Sequence, residues 1–229
     1  MTKNDQHLDA VIFDLDGTLI DSAPDIAAAV NQYLTSSGWG AQDTDFIEQF
    51  IGFGPRKLLL DIFEHIGHPT DDDAVDHAHK AYLDNYWQSP AKHTRFFDHV
   101  KEDLQTLARS GLRMGICTNK PHALTQRVLE ALGLSAIFEV AIGADAVPAC
   151  KPDPGHLIAV ADKMVVKPGR WAYVGDTKVD QATATGANVP FYAVPWGGGM
   201  ALDVPEGHRL ARLSDLMQVR VHAGTETMP

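Results

Sequence analysis

The chain has 229 residues, 45% of them hydrophobic and 21% charged, which supports a packed core with room for an insertion and excludes a disordered chain. Its formal charge of -11 argues against non-specific binding to nucleic acid or to an anionic membrane, yet a local cation can still receive an anionic substrate. No stretch is long and apolar enough for a membrane span, the N-terminus has no signal-peptide pattern, and Cys117 and Cys150 form neither a metal-ligand pattern nor a disulfide framework. A cytoplasmic, enzyme-sized protein is expected.

The first predicted element is a buried strand over residues 8–13. It delivers two acids, Asp14 and Asp16, and then meets Gly17, where the backbone can turn sharply. Two carboxylates at the end of a core strand are costly unless they hold a metal, take part in a reaction or cap backbone N–H groups in a turn. From Ser22, with Pro24 in the first turn, Ile26, Ala27, Val30 and Leu34 recur at helical spacing until Gly38 and Gly40 break it. A short piece at 45–50, a turn at 52–55, a helix over 56–66 and a helix over 72–87 complete an all-helical stretch. Asp71, Asp72 and Asp73 read as the acidic N-terminus of the last of these helices, and His77 and His79 lack zinc-site spacing.

Beyond residue 99 the pattern alternates. Helices are predicted over 100–109, 121–132, 156–161 and 179–187, with strands over 112–118, 137–142, 171–175 and 189–194. This order implies an α/β fold: a doubly wound, Rossmann-like parallel sheet with helices on both faces and an inserted all-helical cap. The expected division is a core of residues 1–21 and 91–229 and a cap of 22–90, with hinges near 20–23 and 89–96. The tail, 219–229, is read as flexible.

Ligands bind outside the carboxyl ends of strands in such sheets. The polar residues expected there are Asp14 and Asp16, Thr118 and Asn119, and Asp176 with Asp180 one helical turn further on; Lys151 precedes Pro152-Asp153-Pro154. Carboxylates with oxygen-only chemistry suit Mg2+ alongside a substrate phosphate. A carboxylate beside such a cation can attack phosphorus, giving an aspartyl-phosphate that water hydrolyses. Thr118, the Asn119 N–H and the Lys151 ammonium would hold the phosphoryl oxygens. Lys120 and His122 lie next to Thr118-Asn119, where either could line the cleft, with the surface of a helix start as the favoured placement.

Asp14-Leu15-Asp16-Gly17-Thr18, Thr118-Asn119-Lys120, Lys151-Pro152-Asp153-Pro154 and Gly175 through Asp180 resemble the four motifs of the haloacid dehalogenase-like phosphohydrolase superfamily. The resemblance implies that Asp14 is the nucleophile and that Asp16 is the general acid and then the general base, its main-chain carbonyl also ligating Mg2+. It further implies that Thr118 binds the phosphoryl group, Lys151 neutralises charge, Asp176 ligates the metal and Asp180 supports the metal shell. Asp16 argues against carbon–halogen and phosphorus–carbon cleavage. The expected activity is a Mg2+-dependent phosphatase acting on a small-molecule phosphate monoester. The alternatives are a sugar-phosphate mutase and, further off, a receiver-like or interaction protein.

Residues 16–26 together with Thr118-Asn119-Lys120-Pro121 resemble the phosphoglycolate phosphatase subgroup, which implies 2-phosphoglycolate as a substrate. Arg56 is the cap candidate for pairing with its carboxylate, the alternative being an arginine on the helix surface. Gly52-Phe53-Gly54-Pro55 departs from the polar loop more usual there and, with Trp196 and the glycines at 197–199, leaves room for a larger leaving group. The expected partner is a small phosphate ester, with no nucleic acid and no membrane, and the expected state is a monomer or homodimer.

Overall fold

A computed structural model describes residues 5–222. It opens with a short strand β1 (Asp5–His7), followed by β2 (Ala10–Phe13), whose four residues are fully buried. The chain then passes through the two-residue strand β3 (Ile20–Asp21) into four helices, α1 (Ala23–Ser36), α2 (Thr44–Glu48), α3 (Pro55–Ile66) and α4 (Asp72–Gln88). It returns through β4 (Arg95–Phe96), which pairs antiparallel with β3. Alternation follows: α5 (Val100–Arg109), β5 (Arg113–Cys117), α6 (His122–Ala131), β6 (Val140–Ile142), α7 (Pro154–Met164), β7 (Trp171–Gly175), α8 (Lys178–Gly186) and β8 (Phe191–Ala193).

Five strands form one parallel sheet in the order β6-β5-β2-β7-β8. Beta pleating sends alternate side chains of β2 to opposite faces. Val11 and Phe13 join the cluster containing Leu104, Leu107 and Val128 of α5 and α6, whereas Ala10 and Ile12 join Leu157, Val160 and Met164 of α7. Both faces are therefore covered, as a sheet built of apolar runs requires. Since β2 lies between β5 and β7, the chain reverses its direction of travel across the sheet at β2, and a crevice opens above its carboxyl end.

The four helices between β3 and β4 pack on a cluster of their own, including Ile26, Val30, Leu59, Ile62, Phe63 and Tyr82; Leu124 of α6 is the one core residue that joins it. Asp25 in the first turn of α1 closes the loop at its far end. Its carboxylate accepts from the His93 and Thr94 backbone N–H groups (2.9 and 2.8 Å) and from the Thr94 hydroxyl (2.7 Å).

Three expectations need correction. Strand β6 begins at Val140 rather than 137, because pairing with β5 starts at Gly115↔Val140; Ile137 and Phe138 instead fill the core, Phe138 edge-on to Phe13. The short strands β3 and β4 lie in segments read only as hinges. The supposed tail contains a strand, β9 (Arg220–His222), paired antiparallel with β1; residues 223–229 lie outside those described. Among the described residues no helix is long and apolar enough to cross a membrane.

Candidate active site

Strands β2, β5 and β7 each end one residue short of a polar group, so Asp14, Thr118 and Asp176 stand side by side at the carboxyl edge. The fourth component arrives from α8. Thr177 caps that helix reciprocally with Asp180, which fixes the Asp180 carboxylate beneath the sheet edge: its Oδ2 accepts from the Thr177 N–H (3.0 Å) and hydroxyl (2.6 Å). Lys151, from the loop before α7, is buried and points between the acids, 2.8 Å from Asp14 Oδ1 and 2.7 Å from Asp180 Oδ1. The Tyr173 hydroxyl completes this knot at 3.0 Å from Lys151 Nζ and donates to Asp180 Oδ1 at 2.8 Å.

Asp14, Asp176 and Asp180 present oxygens that all lie within 4.8 Å of one another. Burial pushes the Asp14 carboxyl up to about 8; Lys151 opposes the shift, and the Asp180 and Asp176 charges reinforce it. Asp176 rises to about 7 by burial and by repulsion from Asp180. Asp180 moves the other way: burial raises it, but the Lys151 ammonium and the Thr177 and Tyr173 donors outweigh that and hold it low. The three groups thus divide into one settled carboxylate and two that carry charge only at a cost. Asp176 takes a Thr18 hydroxyl (2.8 Å) on one oxygen and the Gly198 N–H (3.0 Å) on the other. Asp14 Oδ1 is held by the Lys151 ammonium in a buried ion pair at 2.8 Å.

Close approach explains two glycines. A Cβ on Gly17, whose φ is +85°, would lie 2.5 Å from Asp176 Oδ2, and one on Gly197 would lie 2.5 Å from the Gly17 carbonyl. Gly197 and Gly198 are therefore a backbone wall against Asp176, while Gly199 packs on the Val194 backbone. Trp196, beside it, is structural: its indole donates to the Thr18 carbonyl (2.9 Å) and the ring stacks on Phe97.

Asp16 points away from the three acids. Ser22 Oγ donates to its Oδ1 (2.6 Å), and Lys120 Nζ lies 2.9 and 2.8 Å from its two oxygens. Lys120 also reaches the Tyr86 hydroxyl of α4 at 3.0 Å. The expectation of a surface Lys120 is thus corrected. Its backbone starts the turn after β5, but the long side chain folds inward because Asp16 and Tyr86 offer it partners there. The available signal was its adjacency to Thr118 and Asn119, too general to separate a cleft lysine from an exposed one. Asn119 donates to the Gly52 and Lys151 carbonyls, both at 2.9 Å, so the glycine loop docks on the sheet edge. His122 stays at the helix start, its N–H capped by Asp145.

Arg56 is placed elsewhere. Its guanidinium, 45% exposed, pairs with Asp72 at 2.7 Å and Asp76 at 3.0 Å, and it is absent from the residues lining the cleft. Phe53 of the glycine loop is 53% exposed. A narrow cleft lies between Asp14, Asp16 and Lys120 and the cap residues Ile26, Leu58 and Tyr82. A wider opening of about 450 Å3 reaches Asp16 and Asp176 past Asp21, Asp45, Glu48 and Lys178.

Paired acids after a central strand, a threonine after the next, a buried lysine and two further acids are thus brought to one point. Residues 11–194 match the haloacid dehalogenase-like hydrolase family. The chain belongs to this family. As a haloacid dehalogenase-like hydrolase it is 36% identical over 185 residues to the phosphoglycolate phosphatase of Cereibacter sphaeroides strain ATCC 17029, covering 79% of this chain and 82% of the relative. It is 31% identical over 198 residues to that of Psychrobacter arcticus, covering 85% and 86%. The fold is shared with a predicted phosphoglycolate phosphatase from Haemophilus somnus 129pt of known structure, with a TM-score of 0.81 and 23% identity, covering 93% of this hydrolase and 98% of that chain.

Proposed function

We propose that this hydrolase is a Mg2+-dependent phosphatase that releases phosphate from a small phosphate monoester, 2-phosphoglycolate among the candidates, through a phosphorylated Asp14. The observation that carries the reading is the buried Asp14 carboxylate paired with Lys151 and held with two more carboxylates inside 4.8 Å.

The donor set fits a hard divalent cation. It is all oxygen, and burial together with mutual repulsion leaves Asp14 and Asp176 in need of positive charge. Asp14, Asp176 and the Asp16 carbonyl would hold the ion. Asp180, both of whose oxygens are already hydrogen-bonded, would support it from behind. The ion would supply charge neutralisation for nucleophile and phosphoryl group.

The remaining roles belong to side chains. The Asp14 carboxylate attacks phosphorus, forming the acyl phosphate as the bond to the leaving oxygen breaks. Asp16 gives that oxygen its proton, and in the second half-reaction it takes a proton from the water that cleaves the acyl phosphate. Thr118 and the Asn119 N–H bind phosphoryl oxygens, and Lys151 compensates the charge that Asp14 shares with them. The four helices act as the cap that excludes bulk water.

Turnover of a panel of phosphate esters with Mg2+, followed as free phosphate and by product analysis, tests the reading. Phosphate release should stop with EDTA and fall at least roughly 1,000-fold in Asp14→Asn with the fold retained. Isomerised sugar phosphate without free phosphate would point instead to a mutase.

A further inference from the structure

The groups assigned to phosphate gather at Asp14, Thr118 and Lys151, but the cleft continues past them towards the helices. There its wall consists of Ile26, Ile51, Pro55, Leu58 and Tyr82, all uncharged. Among the described residues lining this cleft, Lys120 is the only cation. Its side chain is 3% exposed, and its ammonium lies 4.6 Å from the centre of the Tyr86 ring. The Tyr86 hydroxyl is neutral, so among the described residues Asp16 is the one anion paired with Lys120.

A buried ammonium needs an anion, because an unpaired charge away from water is costly. On the phosphatase reading proposed above, Asp16 must carry a proton to the leaving oxygen, and a protonated Asp16 no longer neutralises Lys120. A neutral leaving group would then abandon Lys120 among apolar side chains. A leaving group with its own carboxylate would not. We infer that Lys120 determines specificity: it receives a carboxylate carried by the leaving group in exchange for Asp16, so that short phosphorylated carboxylic acids are preferred over uncharged esters of equal size. The carboxylate binds and, by occupying Lys120, releases Asp16 for its task. A substrate amine in the same place would face Lys120 and be rejected by like charge. Arg56, already engaged by Asp72 and Asp76, does not compete for the role.

The experiment compares kcat/KM for phosphoglycolate, ethyl phosphate and phosphoethanolamine with Mg2+ in the wild type, Lys120→Met and Lys120→Arg. The wild type should favour phosphoglycolate over ethyl phosphate roughly 10- to 100-fold, the scale of one charged hydrogen bond in a dry site. Lys120→Met should abolish that ratio, through kcat as well as KM, while Lys120→Arg should retain part of it. Lys120→Gln repeats the test if the methionine variant does not fold. Equal use of the three esters by the wild type overturns the inference and leaves the phosphatase reading standing. So does an unchanged ratio in both neutral variants, or loss of the ratio in Arg56→Ala alone. Absence of phosphate release from every ester sinks both readings.

Discussion

Asp14 and Asp176 sit where a carboxylate holds its charge at a cost, and the cost sets a pH dependence. In the folded protein their protons are retained to about 8 and about 7, against 3.8 in an ordinary environment. Between those limits the folded state binds protons that the unfolded chain has released, so stability falls as pH rises across the window. Asp180, held low by Lys151, has the opposite sign, and its contribution is lost only as the solution becomes strongly acid. In EDTA the melting temperature should therefore decline from about pH 5 to about pH 8. Saturating Mg2+ should raise it most at the alkaline end, where both acids are ionised. A Mg2+ increment in melting temperature that does not grow with pH would show that these carboxylates are not what the ion meets. These acids were legible in the sequence because each follows an apolar strand. Lys120 was not, because its partner Asp16 is distant in the chain and a lysine after a strand is ordinarily solvated.

The helical stretch was legible for a different reason: its apolar residues recur at helical spacing, and α1, α3 and α4 form close to where that spacing places them. Strands β3 and β4 carry no such signal, since two-residue strands have no period and exist only because distant segments meet. What holds those segments together is Asp25. It is 3% exposed and receives two backbone N–H groups and a hydroxyl from the far end of the insertion. Asp25→Ala would leave the buried Thr94 N–H and hydroxyl without partners, a loss of about 2–3 kcal/mol. A drop in melting temperature of roughly 5–10 °C is expected for a chain of this size. Hydrogen exchange should quicken first at His93 and Thr94. A variant with unchanged melting temperature would show that packing alone closes the insertion.

At the scale of the whole molecule, charge opposes the proposed substrate. The chain carries a formal -11, and Asp21, Asp45 and Glu48 border the wider opening, against a single exposed cation there, Lys178. Burial and the neighbouring Asp21 and Asp45 charges raise Glu48, a sign that the negative field is felt there. Phosphate esters are anions, and the cations that would hold one, Lys120 and Lys151, are buried. A buried pair of charges acts over short range, whereas the net charge acts out to the screening length of about 10 Å at 0.1 M salt. Approach is therefore governed by the repulsive far field, and capture by the local cations. Adding inert salt at saturating Mg2+ should raise kcat/KM for a dianionic ester by up to about threefold between about 10 and 150 mM, while kcat stays constant. The same acidic rim attracts divalent cations, so the Mg2+ concentration for half activation should rise with salt over that range. A kcat/KM that instead falls with salt at saturating Mg2+ would mean that Lys120 and Lys151 project their field past the rim and steer the anion in.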